Sequence, residues 1–312
     1  SGVYTTNGST VTEIVPEGQL TPDGTATFRN FASTTTGDIP RSPFNDLEQF
    51  AFAVDLNLVG GGQSSGVYRA SEDELIEIAR QGDNYEDGTL SNFADPALNN
   101  SGLVAFHAQL DLGTEVGMEG PFTIQDDVLI LTDGEDYATV ARGGQEINGR
   151  TILEIFFNNV ATGIANGLSD SGIISYSVLY DDGSSAVNVW RPQLGWRSAA
   201  GDGIWDDENN WFFNMAPNFA SDIQIDTATD TVIQGPSADS EVNSLSFGHG
   251  TGNVSFVAGL GSIFATEGVN IGANGTLEVG ANGEFLVGGG LNNNGIIELG
   301  DNSLLTIQGA FS

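Results

Sequence analysis

The chain has no cysteine, and each of its 8 basic residues is an arginine. The first absence removes disulfides, thiolate nucleophiles and Cys-ligated zinc or iron–sulfur centres. The second removes Schiff-base chemistry and the lysine of a P-loop. There are 2 histidines, His107 and His249, and neither sits in a Ser–His–Asp order or beside a G-x-S-x-G elbow. No apolar run reaches the length of a membrane-spanning helix, so no membrane insertion is expected. No signal-peptide pattern opens the chain, which points to a mature exported chain or a cytosolic one.

Positive charge is also scarce. Asp and Glu number 42 against those 8 arginines, for a net charge of −34. Such a surface repels nucleic acid and acidic membranes, so neither is expected as a partner. It suits salty water, where screening makes self-repulsion tolerable, or neutralisation by divalent cations. What is abundant is glycine, 43 against 9 prolines, in a chain of 312 residues that is 39% hydrophobic. Those glycines separate short apolar runs, which reads as many strands joined by tight turns.

One phrase occurs three times: "NDLEQFAFAVDL" from Asn45, "NNSGLVAFHAQL" from Asn99 and "SDSGIISYSVLY" from Ser169. Each is a polar turn and then an alternating strand, with Phe52, Phe106 and Tyr176 at the same place. Around it lie other repeated pieces. "SGVY" stands at Ser1 and Ser65, with a degenerate "DDVLIL" at Asp126. A second strand ends in a glycine turn at Gly18, Gly82 and Gly144. Units of this size predict antiparallel sheets that need a neighbour to cover their apolar faces. Three blade-like, propeller-type repeats are assigned to about 1–63, 64–120 and 121–194.

From Gly195 the pattern changes. An aromatic-rich junction, 195–230, carries Trp205 and Trp211 and leads into tight strands over 231–312. There "IGANGTLEVGANGEFLVGGG" (Ile271–Gly290) and "LNNNGIIELGDNSLLTIQGA" (Leu291–Ala310) align without a gap. The alignment sets Leu277 on Ile297, Val279 on Leu299 and Val287 on Ile307, with Asn282 over Asn302 at a corner. Strand, Asn-Gly corner and strand at a period of about 20 residues predict a β-solenoid. The fold expected is therefore all-β, blade-like sheets followed by a solenoid.

On these motifs the repeat region resembles tandem-repeat proteins of exported bacterial chains, which carry "GVY", "va-x-x-G" and "lN-x-x-G-x-vaF" pieces. The region from Gly201 resembles the solenoid passengers of autotransporters, through Trp205, Asn210–Trp211, Pro217, Asp222 and the "NGTLEV" turns. These resemblances imply export, surface display and adhesion or matrix roles, and carry over no catalytic residue.

His107 has Ala53 and Ser177 as its counterparts, which argues against a shared active site. Asp206, Asp207 and Glu208 are the foremost candidate calcium ligands, although they match no EF-hand or nonapeptide pattern. Asp181–Asp182 and Asp133, Glu135 and Asp136 are further acidic clusters, equally readable as solvated turns. Trp205 and Trp211 are read either as a sugar-stacking platform or as a cap that packs the solenoid's end and joins the two repeat regions. The expected function is a non-enzymatic extracellular structural protein for adhesion, matrix or self-assembly, associating through the solenoid end or edge strands. The alternatives are a module binding surface glycans and a β-helix enzyme acting on polysaccharide.

Overall fold

A computed structural model describes residues 2–6, 8–31, 43–117, 120–157, 167–197, 201–259 and 262–312. Ser1, the first residue of the first "SGVY", lies outside them. The chain is all-β, with two single 3₁₀ turns and no α-helix among the described residues. It forms two compact units, Ser1–Asp170 with Ile174–Trp190, and Ser171–Ile173 with Arg191–Ser312.

The first unit opens with a hairpin, β1 (Gly2–Thr6) and β2 (Val11–Pro16). Sheet I is β3 (Ala26–Arg29), β4 (Phe50–Leu58), β5 (Gln63–Ala70) and β6 (Leu75–Arg80), in that order. Sheet II comprises β7 (Asn84–Tyr85), β8 (Gly88–Ser91), β9 (Ala97–Leu98), β10 (Val104–Gly117), β11 (Gly120–Thr132) and β12 (Tyr137–Arg142). Sheet III is β13 (Glu146–Ile147), β14 (Arg150–Phe156), β15 (Ile174–Tyr180) and β16 (Ser185–Trp190). All pairings are antiparallel, and the sheets curl into half-barrels.

The sheets run across the repeat boundaries read from the sequence. The phrase strand β4 pairs with the "GVY" strand β5 of the following repeat, and β10 pairs with β11 in the same way. The 63/64 boundary falls inside β5, and the 120/121 boundary falls inside β11. Sheets I and II thus take their early strands from one repeat and their later strands from the next, whereas sheet III lies wholly within the third. The repeated glycines make the passage between sheets. Gly82 has φ 95° and donates to the Leu90 carbonyl; Gly18 and Gly144 do the same to Phe28 and Ile152. The third passage leads into β13 and β14, but among the described residues sheet III ends at β16, with no counterpart of β6 and β12.

Each sheet buries its aromatic face and offers small residues on the other. Phe28, Phe50, Phe52 and Tyr68 fill the curl of sheet I. Its opposite face, Ala51, Val67, Ile78 and Ala79, packs on Phe106, Leu110, Val128 and Ile130 of sheet II. The polar turn of the phrase adds a directional ladder. Asn45 Nδ2 donates to the Asn99 carbonyl at 2.9 Å, and Asn99 Nδ2 donates to the Ser169 carbonyl at 3.0 Å. Asn99 Oδ1 meanwhile accepts from the Ser101 and Leu103 amides, closing its own turn. Beside it, Asn100 Nδ2 donates to Asp46 and Asp170 together, at 3.0 and 3.1 Å.

The second unit is a parallel solenoid of about 4 turns, spaced about 22 residues apart. One end carries β17 (Gln193–Gly195) and β18 (Asp222–Ile225). The first turn is β19 (Thr231–Gln234) and β20 (Ser240–Phe247); the second is β21 (Val254–Ala258) and β22 (Ile263–Ile271). The third is β23 (Gly275–Val279), β24 (Glu284–Val287) and β25 (Gly290–Asn293); the fourth is β26 (Ile296–Leu299) and β27 (Leu304–Ile307). Leu277 pairs with Ile297, Val279 with Leu299 and Val287 with Ile307, the register set by the 20-residue alignment. Asn282 and Asn302 occupy left-handed corners at φ 61° and 58°. Asn292 Nδ2 donates to Asn270 Oδ1 at 3.2 Å, and Asn274 Nδ2 donates to the Gly250 carbonyl.

Candidate functional site

The aromatic-rich junction falls in the second unit, which takes in Arg191–Ser312. Trp205 and Trp211 lie there as core side chains, 1% and 0% exposed. Trp211 stands edge-on to Trp196 and Trp205, with ring centres 4.8 and 4.9 Å apart, and Trp205 stands edge-on to Phe256 of β21. Its indole N–H donates to the Trp205 carbonyl at 2.8 Å. Ile204 bridges in parallel to Gln234 of β19, so this segment lies across the first turn's end. Neither ring keeps a face open to a ligand, which removes the sugar-stacking platform at this pair.

The adjoining acids are held by local hydrogen bonds. Asp207 caps the 3₁₀ turn Glu208–Asn210 through the Asn209 amide. Asp206 accepts from the Ser237 amide at 2.8 Å, and Asp202 accepts from Asn210 Nδ2 at 2.7 Å. The Ile204 amide and Asn210 hold the Asp202 carboxyl below the ordinary carboxylate range. Asp133 and Asp182 likewise cap turns, through Glu135, Asp136 and Ser184. Among the described residues no three His, Cys, Asp or Glu side chains gather as a metal site, Asp206, Asp207 and Glu208 included.

Ionised pairs elsewhere serve the curl of the sheets. Arg80, at the end of β6, reaches Asp23 at 2.9 Å and Glu77 at 2.5 Å, with Tyr68 at 3.1 Å. Asp23 precedes β3, at the opposite side of sheet I, so this arginine ties the two edges together. Burial raises the Asp23 carboxyl, but the hydrogen bonds from Thr21, Thr25 and Arg80 together outweigh it and hold the group well below the usual carboxylate range. Arg142 repeats the device in sheet II, reaching Glu86 and Asp87 at 2.8 Å each, beside the β7–β8 turn. The sequence reading missed both, although "AR" before the repeated glycine was visible at Arg80 and Arg142.

His107 Nε2 lies 3.5 Å from Asp127 Oδ1 on neighbouring strands of sheet II. Asp127 Oδ2 also accepts from the Ile155 amide of β14 at 3.3 Å, so this pair joins sheets II and III. Burial raises the Asp127 carboxyl, but His107 and the Ile155 amide outweigh that and hold it below its ordinary value. A shallow groove of about 440 Å³ crosses successive turns of the second unit, lined in part by Ser244, Ser246, Glu267, Asn270 and Asn292.

A model of the DUF7453 family, a family of unknown function, matches residues 1–193. The chain belongs to that family. The DUF7453 match covers the three curled sheets and stops at the first residue of β17, so the solenoid lies outside it. No curated protein and no solved structure matches the chain.

Proposed function

We propose that this protein is a non-enzymatic structural component of the bacterial cell exterior, working in adhesion, matrix building or self-assembly into a fibre or surface layer. The resemblance to exported repeat proteins and solenoid passengers supports export, and the net charge of −34 suits a surface kept apart from nucleic acid and anionic lipid. One observation carries the assembly reading. In the third turn Leu277, Val279 and Phe285 are wholly buried, whereas their partners in the fourth are not: Ile297 and Leu305 are half-buried and Leu299 is 57% exposed. Strands β26 and β27 end their sheets and leave one row of backbone groups open. Such a face accepts a further parallel turn, whichever chain supplies it. Size exclusion and negative-stain microscopy of the 312-residue chain test this, with and without calcium. Concentration-dependent filaments or stacks are expected; a monomer at millimolar concentration in both conditions sinks the reading.

A glycan partner is the second reading, favoured by the hydroxyl and amide lining of the groove at Ser244, Ser246, Asn270 and Asn292. A glycan array probed with wild type and with Asn270→Ala/Asn292→Ala decides it. Equal signals from both proteins, or none from either, would discard it.

A further inference from the structure

Four Asn-Gly steps lie within the described residues: Asn148–Gly149, Asn274–Gly275, Asn282–Gly283 and Asn294–Gly295. Such a step carries its own reagent, because no side chain on the glycine keeps its amide nitrogen from the asparagine side-chain carbonyl carbon. The fold treats the four differently. In the solenoid the glycine nitrogens are engaged. The Gly275 N–H donates to the Gly272 carbonyl at 3.0 Å, Gly283 to the Gly280 carbonyl at 2.9 Å, and Gly295 to Asn293 Oδ1 at 3.1 Å. The asparagine amides are tied to neighbouring turns as well: Asn274 donates to Gly248, Asn282 to Asp301 and Asn294 to Ile271. A methyl group at Gly275, Gly283 or Gly295 would meet other atoms at 2.8 Å or closer. Asn148–Gly149 is the exception. It makes the two-residue turn between β13 and β14, with left-handed φ of 53° and 75°. Both residues are exposed, and a methyl group at Gly149 would meet nothing within 4 Å. Among the described residues no group accepts from the Gly149 N–H. The hairpin that this turn closes is two residue pairs long, Glu146 with Thr151 and Ile147 with Arg150, so it opens without disturbing a neighbouring turn.

We propose that Asn148 is a self-modification site, at which the chain's own backbone converts an amide into an acid. As the turn opens, the Gly149 nitrogen attacks Asn148 Cγ. The new N–C bond closes a five-membered succinimide, the Gly149 proton goes to the side-chain nitrogen, and ammonia leaves. Water then adds to the ring. Addition at one carbonyl gives aspartate with the main chain restored; addition at the other gives isoaspartate, with the main chain routed through the side chain. In sheet II the matching turn is Glu86–Asp87, and Arg142 meets both acids at 2.8 Å. Among the described residues sheet III has no fourth strand to supply such an arginine, so the new carboxylate gains no tie and adds to a chain already at −34. Isoaspartate also lengthens the turn by one main-chain atom, which breaks the pairing of Glu146 with Thr151. The modification therefore loosens the passage from Gly144 into sheet III and spares the solenoid. It is independent of association at the solenoid end.

The test is incubation of the full chain at mildly alkaline pH, native and in urea, followed by digestion and mass spectrometry. The chain has no lysine, so trypsin releases Gly143–Arg150, in which Asn148 is the one asparagine. A glutamate-specific protease releases Val279–Glu284, in which Asn282 is the one asparagine. In the native chain Asn148 should convert about tenfold faster than Asn282, the protection expected from one retained hydrogen bond. The two rates should converge in urea, and isoaspartate should be among the products at Asn148. Equal native rates, or conversion of Asn282 ahead of Asn148, overturn the proposal. So does aspartate as the sole product, which would mean direct hydrolysis by water without attack by Gly149.

Discussion

The two units of this chain solve the same problem, stacking repeated β-structure, with opposite bonds. In the DUF7453 unit the backbone ladders close within each antiparallel sheet, and neighbouring sheets are joined by side chains: Phe106 against Val67 and Ile78, Asn45 to Asn99, Asp127 to the Ile155 amide. In the solenoid the backbone hydrogen bonds themselves run from turn to turn, and side chains such as Phe256 and Phe285 fill the interior. The sheets are therefore specified by side-chain chemistry at their interfaces. The turns are specified by how closely backbones can approach. Substitutions that ignore this difference should have similar effects in both units, and substitutions that exploit it should not.

The largest effects come from core aromatics. Phe106→Ala and Phe256→Ala each remove a fully buried ring and should cost about 3–5 kcal/mol. Calorimetry should show two transitions, with Phe106→Ala lowering one and Phe256→Ala the other. A single transition displaced equally by both variants would mean that the units unfold as one.

Glycine separates the units more sharply. Gly82 has φ 95° and open space around it, so Gly82→Ala should cost about 1 kcal/mol through backbone strain, and Gly82→Asn should recover much of it. Gly289 has no such φ, but a methyl group there would overlap the Glu267 carbonyl of the previous turn. Gly289→Ala should cost about 3 kcal/mol, and Gly289→Asn no less. Urea unfolding of the four variants measures the contrast; rescue by asparagine at both sites would erase the distinction.

The ladders differ in the same sense. Asn99 is 3% exposed and forms three side-chain hydrogen bonds, one of them to the next repeat, so Asn99→Ala should cost about 2–3 kcal/mol. Asn292 is exposed and its bond to Asn270 lies on the solenoid surface, so Asn292→Ala should stay within about 0.5 kcal/mol. Equal losses in chemical denaturation would show that the polar turn of the phrase is no more than a surface feature.

How far the sequence could be read follows from the same contrast. In a parallel solenoid the sequence period is the spatial register, so the 20-residue alignment placed Leu277 beside Ile297 and Val287 beside Ile307 directly. The earlier turns resisted because their spacing drifts: Thr231 pairs with Val254, and Val254 with Gly275. In the antiparallel unit the repeats were visible, but a period has no beginning, and sheets assembled from two repeats cannot be cut correctly by matching phrases. The acids at Asp206–Glu208 and the rings of Trp205 and Trp211 suggested chemistry because composition is silent on burial. Asp207 carries a cap and Trp211 fills a core, and only the turn from Ile204 to Gln234 determines that.

The smallest effect concerns the arginine tie, found in the sheets at Arg80 and Arg142. Asp23 is held well below the ordinary carboxylate range in the folded chain, so its bonds to Arg80, Thr21 and Thr25 stabilise the fold above the unfolded carboxylate value. That contribution is complete at neutral pH and fades as pH falls below about 4 toward the folded value. The side chain is 42% exposed, and solvent screening limits its worth to less than about 1 kcal/mol. Protonation of many other acids will relieve repulsion over the same range, so the overall stability of wild type is a poor reporter. The difference between wild type and Asp23→Asn isolates the tie: wild type should be more stable at pH 7, and the gap should narrow steadily below pH 4. The solenoid transition should show no such gap, because Asp23 belongs to the other unit. A gap that stays constant down to pH 2 would mean that the curl is held by shape, with the charge of Asp23 contributing nothing.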